Sequence, residues 1–175
     1  VENVAAIRAG RAPQEDEALL TALGQIVADT TLEEAFVALA LTLPADADIA
    51  REIGQDVDPD AIHEARKHLR GVVGRKLAPA LQQTVERMRD SGPYSPDAVS
   101  AGRRTLKNAC LDLLVATGAP AAIARAADQF SAADNMTDRM AALSTLSLHA
   151  VPERDHALAD FYTRYAADAL VIDKW

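Results

Sequence analysis

The segment His63-Glu64-Ala65-Arg66-Lys67-His68 holds the residue types of a helical zinc site. In the H-E-x-x-H pattern two imidazoles four residues apart reach one Zn²⁺, and the intervening glutamate acts as general base. Here the second histidine comes five residues after the first. At 3.6 residues per turn that turns it about 140° around a helix from its partner. The two rings then face different sides and cannot share a metal while the helix persists. The other histidines, His149 and His156, flank Pro152 with no cysteine or carboxylate cluster beside them. Cys110 stands among Leu106, Leu113 and Leu114, where a buried, unreactive thiol is expected because no neighbour would stabilise a thiolate. The P-loop, dinucleotide and nucleophile-elbow glycine patterns do not occur. The catalytic, cofactor-binding and metal-ligating assignments are therefore all none.

Four polar residues lie on otherwise apolar-patterned segments: Arg103, Arg104, Asn135 and Asp138. They are read as helix caps and surface pairs, with a cavity-facing role as the other possibility. Arg66, Lys67, Arg70, Arg75 and Lys76 form a basic run without interleaved aromatics, a poor platform for nucleic acid. Residues 1–60 hold 13 acids and 3 bases. This acidic third is read as solvated helix surface, with a docking face for a basic partner as the alternative.

The elements that carry these residues are helical throughout. Of 175 residues, 49% are hydrophobic and only 4% aromatic, and the net charge is −8. Abundant alanine favours helix over strands rich in β-branched and aromatic residues. The acidic balance disfavours nucleic acid, and a single cysteine fits a reducing compartment. No apolar run reaches the roughly 20 residues of a membrane span.

Turn residues divide the chain into about eight helices. One starts with Pro13 in its first turn and runs through Leu19, Leu20, Leu23, Ile26 and Val27. A second, capped by Thr31 with Glu34 in the capping box, has an apolar face of Phe36, Leu39 and Leu41 and stops at Pro44. A short helix covers Asp46 to Ile53. Asp58-Pro59 opens the longest block, with a stripe of Ile62, Leu69, Val73, Leu77, Leu81, Val85 and Met88. Pro79 predicts a kink or break inside it, and Ser91-Gly92-Pro93 ends it. Ser95-Pro96 starts a helix carrying Val99, Leu106, Cys110, Leu113 and Leu114. The last three are an alanine-rich helix ending near Phe130, one with Met136, Met140, Leu143 and Leu146, and one opened by Pro152 with Leu158, Phe161, Tyr162 and Tyr165. The fold class is all-α, an irregular, solenoid-like superhelix of antiparallel hairpins without a regular repeat period.

The segment Ala132-Ala133-Asp134-Asn135-Met136-Thr137-Asp138-Arg139-Met140-Ala141-Ala142-Leu143 resembles part of the helical C-terminal domain of the bacterial alanyl aminopeptidases, the aminopeptidase N family. Three further stretches are similar in the same order: Val57 to Arg66, Arg104 to Leu111, and Val171-Ile172-Asp173-Lys174-Trp175. The resemblance implies a parent that releases N-terminal residues from peptides, using one zinc held by two histidines and a glutamate in a separate, upstream domain. It implies that residues 1–175 are one fragment of the helical domain, cut at both ends, inactive alone and without a cofactor. Its implied role is to wall the active-site chamber and restrict access.

The expected partners are the catalytic domain of the same chain and the parent's peptide substrates, with self-association of the fragment through a face left uncovered. Neither nucleic acid nor membrane is an expected partner, and the expected location is cytoplasmic. A stand-alone helical module binding a peptide or protein is the alternative.

Overall fold

A computed structural model describes residues 1–89 and 92–173. The Ser91 turn and the terminal Lys174-Trp175 lie outside the described residues. Among those described there are eleven helices and no strand. They are α1 (Glu2–Arg8), α2 (Glu17–Ala28), α3 (Glu34–Ala40), α4 (Asp46–Ile53), α5 (Pro59–Lys76) and α6 (Ala78–Arg87), followed by α7 (Ala98–Val115), α8 (Pro120–Ala132), α9 (Met136–Ser147), α10 (Pro152–Tyr165) and α11 (Ala169–Ile172).

The all-α expectation holds and the expected number, about eight, is too low. α1 and α11 are short helices with no distinctive apolar period. The long block is two helices because Pro79 has no N–H to bond the Arg75 carbonyl. The chain breaks at Leu77, and Pro79 falls in the first turn of α6, where a missing donor costs nothing.

Side-chain caps fix several helix starts. Asp16, Asp58, Asp97 and Asn135 each accept from the backbone N–H three residues on, at 2.9–3.0 Å. Two expected starts are displaced. Asp16 rather than the Pro13 turn opens α2, and Asp97 rather than Ser95 caps α7, with the Ser95 hydroxyl donating to the Asp97 carboxylate at 2.5 Å. Thr31 does not cap α3. Its amide and hydroxyl both donate to Asp29, closing a turn ahead of the helix.

α7 is the central element, packed against α3, α5, α6, α8 and α9. Leu106, Cys110, Leu111, Leu113, Leu114 and Val115 are buried along it. One core joins α2, α3 and the segment from α5 to α10, with Leu81, Leu146 and Phe161 wholly inaccessible. A smaller core of Val4, Ala61, Ile62 and Ala65 seats α1 and α4 on the first half of α5. From α4 to α11 each helix packs on the next, α2 packs on α3, and α1, α2 and α3 also lie on α5, α6 and α7 respectively.

The α3 face differs from expectation. Val37, Ala38 and Leu41 are buried, whereas Phe36 and Leu39 are 52% and 69% exposed. α3 begins at Glu34, its first turn lies close to Gly102 of α7, and the side it buries is the one carrying Val37, Ala38 and, just past its end, Leu41. Val99 is likewise exposed, one turn before Gly102.

Candidate functional site

α5 separates the histidines of the near-zincin segment. His63 is exposed, while His68 is half-buried with Nε2 inaccessible and unpaired among the described residues. Glu64 lies 3.6 Å from Lys67 rather than between two rings. No group of three or more His, Cys, Asp or Glu among the described residues is placed to hold a metal ion. The residues present therefore do not fit a zinc site of the H-E-x-x-H kind. Cys110 is fully buried on α7, and burial pushes its thiol up to about 12. His156 is exposed on α10.

The polar residues singled out in sequence make structural joints. Arg103 donates to the Arg87 carbonyl at the end of α6, at 2.9 Å. Arg104, only 3% exposed, donates to the Ser95 carbonyl at 2.8 Å and lies over the Tyr94 ring, pinning the segment that leads into α7. Asn135 caps α9.

Asp138 is the centre of a buried network. Its carboxylate accepts from Lys107 Nζ at 2.7 Å, from Asn108 Nδ2 at 2.9 Å and from Asn135 Nδ2 at 3.2 Å. Gln129 Nε2 in turn donates to the Asn108 side chain and to the Asp138 carbonyl. The carboxylate thus ties α7 to α9, and Gln129 joins α8 to both through the Asn108 side chain and the Asp138 backbone carbonyl. Arg139, next in sequence, donates to the Phe130 and Ala133 carbonyls at the end of α8 and to the Tyr165 hydroxyl of α10. With three donors on its carboxylate oxygens, Asp138 holds α7 against the start of α9.

Lys107 and Asn108 fall in the Arg104-to-Leu111 stretch without a role of their own there, and Gln129 has no signal in the sequence. On one-dimensional evidence Lys107 is an ordinary helix-surface cation, and only its burial reveals the pairing. A cleft of ≈ 440 Å³ opens beside the network, edged by Arg89, Arg125, Asp128 and Gln129, with charges of both signs.

The basic run on α5 is dispersed among acidic partners. Arg70 meets both oxygens of Asp112 at 2.7 Å, and Thr145 adds a hydroxyl at 3.1 Å. Lys76 holds Glu15 and Glu17 of the acidic N-terminal third. Its hydrogen bond lowers the Glu15 carboxyl, and the same contact raises the Lys76 ammonium. A second, smaller cleft of ≈ 140 Å³ is edged by His63, Arg66, Lys67, Arg70 and His149. No helix among the described residues is long and apolar enough to cross a membrane.

Three comparisons bear on this arrangement. Aminopeptidase N of Caulobacter vibrioides is 38% identical over 170 residues, 96% of this chain and 20% of that protein. Aminopeptidase N of Haemophilus influenzae is 30% identical over 99% of the chain and 19% of its own length, and that of Escherichia coli is 32% identical over 86% and 17%. The chain thus spans about a fifth of the length of these relatives.

The crystal structure of Legionella pneumophila aminopeptidase A in complex with aspartic acid shares the fold. The TM-score is 0.81 at 23% identity, covering 99% of this chain and 21% of that one. The family described as "Domain of unknown function (DUF3458_C) ARM repeats" matches residues 1–175. A stacked, all-helical chain matched from end to end in this way belongs to that ARM-repeat family.

Proposed function

We propose that this chain is a non-catalytic helical part of a zinc-dependent aminopeptidase that releases N-terminal amino acids from peptides. It walls the chamber in which the reaction occurs and restricts entry. The observation that carries the reading is the alignment: relatives named aminopeptidase N match nearly all of this chain, yet it accounts for about a fifth of their length. The bulk of such an enzyme, and with it room for a zinc centre, lies elsewhere in the parent. The polar residues support the same reading, since Arg103, Arg104, Asn135 and Asp138 are committed to joints between helices. A stacked helical wall excludes folded proteins by size and admits extended peptides, which suits a peptidase working in the cytoplasm. The catalytic domain of the same parent is the partner, and zinc belongs to that domain.

The test is an aminoacyl-nitroanilide assay on the purified 175-residue chain, with metal analysis. No turnover and no stoichiometric zinc are expected, and clear turnover with bound zinc would overturn the reading. The coding sequence ahead of Val1 provides an independent check. An H-E-x-x-H followed about 18 residues later by Glu is expected there, and an upstream frame without it would favour a stand-alone helical binding module.

A further inference from the structure

His63, Arg66, Lys67 and Arg70 fall at i, i+3, i+4 and i+7 on α5, so they share one face of the helix. That face forms one side of the ≈ 140 Å³ cleft, and His149, just beyond α9, closes it, with Ala116 and Leu148 completing the wall. Five basic or imidazole side chains thus line one small cavity. No carboxylate lines it, in a chain whose net charge is −8.

The neighbouring acids position these groups from outside the wall and leave donors uncommitted. Arg66 spends Nε on the Pro44 carbonyl at 2.6 Å and turns Nη1 toward Asp46 at 3.3 Å. Arg70 meets both Asp112 oxygens through Nη2 alone. Lys67 Nζ is 3.6 Å from Glu64, beyond hydrogen-bond reach. Among the described residues, Arg66 Nη2, Arg70 Nη1 and Nε, Lys67 Nζ and the rings of His63 and His149 have no hydrogen-bond partner. Guanidiniums already fixed by one carboxylate lose little further freedom on meeting a ligand. Each of the three cations already has a carboxylate beside it, Asp46, Glu64 or Asp112. The carbonyl end of α7 at Ala116 adds about half an elementary charge of the same negative sign. The cleft's pull on an anion therefore rests on its uncommitted donors and not on net charge.

We propose that this cleft binds a phosphate group, free or carried on a monoester. The inference goes beyond the aminopeptidase reading and does not depend on it. A carboxylate has two oxygens and one charge, enough for one arginine fork. A phosphate has three or four oxygens and close to two charges, which matches donors arriving from α5 and from the α9 end together. The exposed Leu148 at the rim gives the carbon side of a monoester an apolar contact.

The test is a titration of the 175-residue chain with inorganic phosphate, glycerol 2-phosphate or acetate, with sodium chloride holding ionic strength constant. Amide NMR shifts and the thermal midpoint are followed. Saturable shifts at residues 63–70, 116 and 148–149 and a raised midpoint are expected with inorganic phosphate. A similar response to glycerol 2-phosphate would extend the site to monoesters, and its absence would restrict it to the free ion. Lys67→Gln combined with His63→Gln removes two exposed groups, so helicity and midpoint in phosphate-free buffer should stay unchanged. Phosphate affinity should fall about tenfold or more. The proposal is overturned if the shifts are absent or lie elsewhere, if acetate binds as well as phosphate, or if the double variant binds like the parent chain.

Discussion

Gly74 of α5 faces the Leu113 carbonyl of α7 with no room for a side chain between them. A Cβ at Gly74 would overlap that oxygen and come within 2.8 Å of Thr117 Cγ2. The two helices touch here near their C-terminal ends, and backbone, unlike a flexible side chain, cannot step aside.

Gly74→Ala should therefore destabilise the fold despite alanine's better helix propensity. Overpacking a tight site costs about 1–3 kcal/mol, and the helical preference of about 1 kcal/mol returns only part of it. Gly71 is the contrast on the same helix. Its added Cβ would meet the end of the Arg75 side chain at 3.1 Å, and that side chain can move. Gly71→Ala should be neutral or stabilising. Urea denaturation of the two variants checks this, and equal effects would mean that the contact is looser than the geometry indicates.

Lys107 and Asp138 form an ion pair whose side chains are 10% and 6% exposed. Removing one member leaves the other charged and buried. Asp138→Asn or Lys107→Met should therefore each cost about 3–5 kcal/mol. The double variant should cost much less than the sum of the two, because neither charge is then stranded. A double-mutant cycle measured by denaturant unfolding checks this. Additive costs would show that Asn108 and Asn135 satisfy Asp138 without help from the lysine.

The helical class and most breaks were legible in the sequence because they rest on local chemistry. Asp58-Pro59 is a cap followed by a helix-compatible proline, Pro79 removes a donor, and the Leu69-to-Met88 stripe marks a buried side. What local chemistry does not carry is which helix lies on which. The stacking of α1, α2 and α3 on α5, α6 and α7 has no counterpart in a repeated sequence period. Phe36 and Leu39 look like core residues in the sequence, yet α3 packs on α7 through the side carrying Val37 and Ala38. The Lys107–Asp138 network was half legible: Asn135 and Asp138 stood out as polar residues, but their partners sit about thirty residues away on α7 and carry no local signal. The cationic face was visible as a run, while its cleft needed His149 brought from the far end of α9.

Cys110 offers a direct reading of core integrity. Its thiol is inaccessible and burial pushes it up to about 12, so the thiolate that reacts with disulfide reagents is scarce in the folded chain. Labelling with a thiol-specific chromogenic disulfide at pH 8 should proceed only as fast as the chain opens. Gly74→Ala should then accelerate it roughly in proportion to the larger open population. Immediate, complete labelling of the native chain would contradict the buried placement.

His149 should give stability a pH dependence near neutrality. Burial is the main cause holding its imidazolium below the ordinary 6.5, with Arg70 and then Lys67 acting in the same direction and Asp112 opposing. The unfolded chain therefore binds a proton at this position more readily than the folded chain. By linkage, stability rises with pH where the unfolded state carries more protons. The contribution is fully present above 6.5 and is lost as pH falls through that value toward the lower folded one. His149→Gln should flatten this part of the profile and leave the region above pH 7.5 unchanged, as followed by thermal unfolding from about pH 8 to pH 5. Bound phosphate would oppose the loss, since an anion in the cleft favours the imidazolium, so the slope measured in phosphate buffer should be shallower than in a buffer without oxyanions. An identical slope in both buffers, with His149→Gln flattening each equally, would place the histidine in the fold's pH response and outside any anion site.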